Sequence, residues 1–157
     1  MIVIDPSPPV ESAGSSLLYS TEFCELAGRR LKPGGILQVW FPGGDLTAAQ
    51  AVARAVRDSF PHVRCFVSVE GWGVHILASR LPIRSLRGEE AAAQMPLAAK
   101  RDLLEWSATL DAAAYLAQVL ALENPIEQIL SPDPAIKITD DRPYNEYFLL
   151  RRWVQRK

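Results

Sequence analysis

Residues 1–80 alternate short apolar runs with longer stretches whose apolar residues recur every three or four positions, a pattern that restricts the chain to an α/β fold. Ile2 to Ile4 is an all-apolar run, as expected of a strand covered on both faces. Residues 6–19, rich in Pro, Ser and Gly, read as a loop. Ser20 or Thr21 can cap a helix that carries Glu22 and Glu25 near its positive end, with Phe23, Leu26, Ala27 and Leu31 as its apolar face. Lys32-Pro33-Gly34-Gly35 stops that helix, and Ile36 to Phe41 is a second strand. After Pro42-Gly43-Gly44, Asp45 or Thr47 caps a helix in which Val52, Val56 and Phe60 share one face, ended by Pro61. Val63 to Val69 is a third strand and Val74 to Ser79 a fourth. The short Glu70-Gly71-Trp72-Gly73 link between them predicts an antiparallel hairpin. The expectation is a doubly wound, mostly parallel sheet with an antiparallel edge or inserted strand, ending in an antiparallel hairpin.

The second half is helical. Residues 81–100 read as a polar linker with a short helix. Residues 101–122 read as an amphipathic helix with Leu103, Leu104, Trp106, Leu110, Leu116 and Leu120 toward the core. Pro125, Pro132 and Pro134 interrupt the stretch beyond it. Residues 1–80 therefore form the α/β core, and residues 81–157 a helical extension of the same domain. A chain of 157 residues with 48% hydrophobic and 22% charged content suits one globular unit with its own core. A net charge of −1 supplies no global attraction to nucleic acid or anionic membrane. The basic end, Arg151, Arg152, Arg156 and Lys157 around Trp153, reads as solvated. No apolar run reaches the ~20 residues of a membrane span, and no secretory signal pattern is present. Cys24 and Cys65 lie in periodic apolar segments and read as buried free thiols of a cytoplasmic protein. Two histidines and no Cys-x-x-Cys predict no metal site.

Chemistry points first to Asp5. It ends the first strand, and in open α/β sheets ligands bind beyond the carboxyl ends of the strands. A carboxylate there can hold a cation; the plainer alternative is an Asp bonded to its own loop backbone. Trp40 and Trp72 read as core or pocket wall, and His75 as a structural histidine within a strand. Ser15 and Ser16 lack the Gly-x-Ser-x-Gly setting of a hydrolase nucleophile. No Gly-x-Gly-x-x-Gly is present, and Gly71-x-Gly73 lies between hairpin strands and not before a helix.

Three segments carry a family resemblance. They are Ile4-Asp5-Pro6-Ser7-Pro8-Pro9 with Leu18-Tyr19-Ser20-Thr21-Glu22-Phe23, then Leu31-Lys32-Pro33-Gly34-Gly35-Ile36-Leu37-Gln38, and the hairpin end Gly73-Val74-His75-Ile76-Leu77-Ala78-Ser79. Together they resemble the C-terminal half of the spermidine synthase-like polyamine aminopropyltransferases, within the class I S-adenosylmethionine methyltransferase superfamily. Thr139-Asp140-Asp141-Arg142-Pro143 is similar to the C-terminus of a bacterial subgroup of that family. The resemblance implies decarboxylated S-adenosylmethionine as co-substrate, a putrescine-like polyamine as acceptor, and no prosthetic group. It implies that Asp5 holds and deprotonates the attacking amine, and that Asp5 and Pro6 meet the co-substrate. Tyr19, Asp140 and Asp141 would then line the acceptor channel. The bland counterparts are a packing role for Tyr19 and a turn or Arg142 ion pair for Asp140 and Asp141.

The sequence departs from the family in three places. Pro8 stands where the family's strand-end motif has a second acid. Trp40 stands where a Gln commonly follows the fifth strand, with Gln38 two positions early. The Gly-rich nucleotide loop and its ribose-binding acid are not in the sequence. The expectation is a partial doubly wound sheet whose open edge pairs in a homodimer or with a separate N-terminal half. Two other readings stay open: a methyltransferase-fold protein using S-adenosylmethionine, and a non-catalytic fragment or binding subunit that needs a partner with the nucleotide-binding half.

Overall fold

The computed structural model describes residues 1–5, 14–105, 111–143 and 153–154. Its centre is a five-stranded mixed sheet of strands β1 (Ile2–Ile4), β2 (Leu37–Phe41), β3 (His62–Val67), β4 (Val74–Ser79) and β5 (Glu123–Asn124), in the order β1-β2-β4-β3-β5. β1 and β2 pair in parallel, and the other three ladders are antiparallel. β1, β2 and β3 thus run one way, while β4 and β5 run the other. This corrects the mostly parallel sheet expected from the sequence. The β3–β4 hairpin is present, but its return strand is inserted between β2 and β3, so β4 has antiparallel partners on both sides.

Among the described residues, five α-helices accompany the sheet: α1 (Thr21–Arg30), α2 (Leu46–Ser59), α3 (Gly88–Gln94), α4 (Leu97–Leu104) and α5 (Ala112–Ala121). One sheet face joins α1 and α2 in the core. Leu37, Val39 and Phe41 alternate along β2, cross to Ile76 and Ala78 on β4 and Cys65 on β3, and meet Ala48, Ala51, Val52 and Val56 of α2. Val52, Val56 and Phe60 are buried as their spacing predicts. α1 follows its predicted face in part: Ala27 is buried and Phe23 and Leu31 pack against the core, but Leu26 does not. Cys24, Ala27 and Gly28 are its buried residues, whereas Leu26 is 44% exposed. Small side chains let the α1 backbone approach its neighbours closely, so position on the helix outweighs the hydrophobicity of a single Leu.

The caps resolve choices that the sequence leaves open. The Phe23 amide donates to Ser20 Oγ at 3.1 Å, and the Ala48 amide to Asp45 Oδ1 at 2.8 Å. Thr21 instead ties α1 to the distal chain, with its amide and its hydroxyl both donating to the Ile138 carbonyl. The helix expected over 101–122 is two helices. α4 ends at Leu104, and α5 starts afresh behind Asp111, which accepts from the Ala114 amide at 2.8 Å. Trp106 and Leu110 lie outside the described residues. α3 and α5 flank the opposite sheet face, where Ala91, Leu116, Val119 and Leu120 lie around Phe66 and Leu77. β1 is covered on one face only: Ile4 is buried, while Val3 is 50% exposed, which corrects the expectation of a strand buried on both sides. No helix among the described residues is long and apolar enough to cross a membrane.

Candidate functional site

The carboxyl ends of the three co-directional strands meet at one end of the sheet. Asp5 follows β1, Trp40 and Phe41 close β2, and Ser68 to Gly73 form the turn between β3 and β4. On the sheet face away from α1 and α2, period-two alternation aligns Gln38 and Trp40 of β2 with Leu77 and His75 of β4. Phe66 of β3 faces His75 from the other side. Asp5, Gln38, Trp40, Ser68, Val69, Glu70, Trp72 and His75 line an open hollow of about 310 Å³.

The turn delivers Glu70 and Trp72 to this hollow. The Gly71 amide donates to the Ser68 carbonyl at 2.9 Å, and the Ser68 amide to the Gly73 carbonyl at 3.2 Å. Gly73 presses on the end of β2: a Cβ built there would lie 2.7 Å from the Phe41 carbonyl oxygen. A side chain larger than hydrogen would collide with the backbone of Phe41 and Pro42. The two indoles meet edge to face, with ring centroids 5.4 Å apart and planes at 74°. His75 lies 6.4 Å from Trp40, and its Nδ1 is 3.3 Å from Gln38 Nε2. With the Gln38 amide donating to Nδ1, the neutral ring carries its proton on Nε2. Burial pushes the His75 pKa down and the Asp5 charge offsets part of this, so the ring is neutral at pH 7. Asp5 and Glu70 are the acidic side chains of the hollow, and no Lys or Arg lines it among the described residues.

Tyr19 lies beneath this hollow and is not part of its wall. It is 1% exposed, its hydroxyl donates to the Trp40 carbonyl at 3.0 Å, and its ring meets Phe41 edge to face at 5.9 Å. Burial, and secondarily the Asp5 charge, raise its pKa far above the ordinary tyrosine range. Tyr19, expected in the acceptor channel, thus does not line this hollow and bonds the backbone of β2 instead. Asp140 and Asp141 are exposed and belong to a separate corner. The Asp140 amide donates to Glu22 Oε2 at 3.2 Å, and Asp140 shares a shallow depression with Leu17, Glu22, Phe23, Leu26 and Arg29. Asp141 accepts from Thr139 Oγ1 at 2.6 Å inside a turn closed by the Arg142 amide on the Thr139 carbonyl. That hydroxyl holds the Asp141 carboxyl below its usual range. Neither acid lines the Asp5 hollow. Pro6 lies outside the described residues.

Sequence reasoning misses Glu70 and gives Gln38 no role as a partner of His75. Glu70 carries a usable signal: it lies in the turn just after β3, a strand that runs parallel to the one ending in Asp5, which puts both acids at the same end of the sheet. Among the described residues no group of three or more His, Cys, Asp or Glu side chains is arranged to hold a metal ion. Compared with models of known protein families and with curated proteins, the chain matches none.

Proposed function

We propose that this chain forms the amine-acceptor side of a spermidine synthase-like aminopropyl-transfer site, with decarboxylated S-adenosylmethionine as donor and a polyamine as acceptor. The observation that carries the reading is the joint presence of Asp5, Glu70, Trp40 and Trp72 around one hollow at the carboxyl ends of the strands. Carboxylates and indole faces attract an ammonium group and offer its methylenes an apolar wall. A reversed strand between the last two forward strands accords with the inserted strand that the sequence pattern suggested, and gives further support. Glu70 supplies a second acid from the hairpin, where Pro8 removes one from the strand-end loop.

In the proposed reaction the amine nitrogen attacks the carbon beside the sulfonium in line with the leaving sulfur. The new C–N bond forms as the C–S bond breaks, and the bonding pair stays on sulfur, leaving methylthioadenosine. Asp5 holds the ammonium in place and takes its proton, directly or through water. Neutral His75, fixed by Gln38, adds a hydrogen-bonding partner without bringing in a competing positive charge.

The test is calorimetric titration of the chain with putrescine and with methylthioadenosine at low salt. Putrescine should bind saturably, and Asp5→Asn should weaken it roughly tenfold to a hundredfold, the loss of one charge-assisted contact. Equal putrescine affinity for the wild type and Asp5→Asn would refute the assignment. A second reading is an amine-binding subunit without transfer activity, since the acids and indoles of the hollow account for amine binding by themselves. Binding of putrescine but not of methylthioadenosine by the isolated chain selects it.

A further inference from the structure

A second hollow of about 290 Å³ opens beside the first, between the sheet and α5. Gln38, Ser68, Val69 and His75 line both, so the two share a rim. Beyond that rim the walls are hydrocarbon: Phe66, Val67 and Leu77 from the sheet, and Val119 and Leu120 from α5. No ionised side chain lines this part. Val67, Leu77, Val119 and Leu120 are only half-buried, although each sits where a sheet packs on a helix. A closed seam would bury them. The seam instead stands ajar at the end where Asp5 and Glu70 hold the negative charge.

We propose that the acceptor is a primary amine bearing an extended apolar arm, its ammonium group held at Asp5 and Glu70 and its arm laid between Phe66, Leu77, Val119 and Leu120. The proposal rests on the amine-acceptor reading above and departs from it at the far end of the acceptor, which is apolar where a polyamine carries a second charge. Charge complementarity selects a cation at the polar end, since no Lys or Arg lines either hollow among the described residues. The hydrocarbon walls select against a second charge at the far end. A short diamine would satisfy the acids and leave the second hollow unfilled, whereas an alkylamine fills both and removes apolar wall from water.

The test titrates the purified chain with putrescine, butylamine, hexylamine and octylamine below their aggregation concentrations, following indole fluorescence and heat. Affinity should rise about threefold to fourfold per added methylene until the arm is fully buried. Octylamine binding should fall in Asp5→Asn, and Val119→Trp, which places an indole in the apolar hollow, should bring octylamine close to butylamine. The chain-length series on the wild type stands even if the Trp variant does not fold. Putrescine binding together with equal affinities for butylamine and octylamine would overturn this proposal and leave the amine reading standing. Octylamine binding unaffected by both Asp5→Asn and Glu70→Gln would also overturn it, because adsorption of the alkyl chain alone would explain the signal. Absence of binding by every amine would remove the amine reading and this inference with it.

Discussion

The Tyr19 hydroxyl has one strong partner, the Trp40 carbonyl, in a place that water does not reach. Tyr19→Phe should lower stability by about 1 kcal/mol, measured by urea unfolding at neutral pH. The pH dependence has a definite sign. The folded Tyr19 pKa is raised above the unfolded value near ~10, so above that pH the unfolded chain releases a proton that the folded chain keeps. The Tyr19 contribution is therefore complete below about pH 10 and lost as pH rises beyond it. The wild type should lose stability on the alkaline side more steeply than Tyr19→Phe does. Residues of this kind show why the candidate site is only partly legible in the sequence. Asp5 can be picked out because it ends an apolar run and directly precedes a Pro. Tyr19 resembles a channel residue because its neighbours look like a surface loop, and depth beneath a sheet end leaves no local mark. Asp140 and Asp141 look like a charged pair in sequence, yet one is engaged through its backbone by Glu22 and the other through its side chain by Thr139.

Among the elements, β2, α2 and β4 are legible because period and punctuation agree: Pro42-Gly43-Gly44 and Pro61 bound segments with clear apolar spacing. Part of the buried face of α1, Cys24 and Gly28, escapes the pattern because small residues carry little hydrophobic signal but permit close approach. The boundary between α4 and α5 hinges on Asp111, a residue that fits a helix face as readily as a cap until its bond to the Ala114 amide is seen. α3 and α5 show the same dependence on close approach. A Cβ at Gly88 would press on the Ala113 carbonyl oxygen and lie 2.8 Å from the Ala117 Cβ, so the helices would have to part. Gly88→Ala should cost about 1–3 kcal/mol by overpacking. Hydrogen exchange should show the loss confined mainly to α3 and α5, with amides of β2 and α2 still protected. Equal deprotection throughout would mean that the α3–α5 pair and the sheet open as one unit.

At the scale of the whole molecule, the α/β class is legible in the alternation of periods, but strand order is not. Nothing in Val74 to Ser79 alone says that it lies between β2 and β3 instead of at an edge; the buried Ile76 and Ala78 become informative only once both neighbours are known. The insertion of β4 also carries a consequence for how the chain reaches this state. Val67 meets Val74 across a short turn, whereas Phe41 reaches the same Val74 only after all of α2 and β3 have been laid down between them. Closing the first contact costs little chain entropy and closing the second costs more, so the hairpin forms early and β2, bringing β1, docks onto it late. Rapid-mixing kinetics should then divide the molecule in time. Gly71→Ala, which strains a turn held at φ +78°, should slow folding, while Ile4→Ala should chiefly speed unfolding. The Asp5 hollow has one wall in each half, Glu70 and Trp72 in the early hairpin and Asp5 and Trp40 in the late-docking pair, so it comes into being only at the last step of folding and is among the first features lost when the chain begins to open.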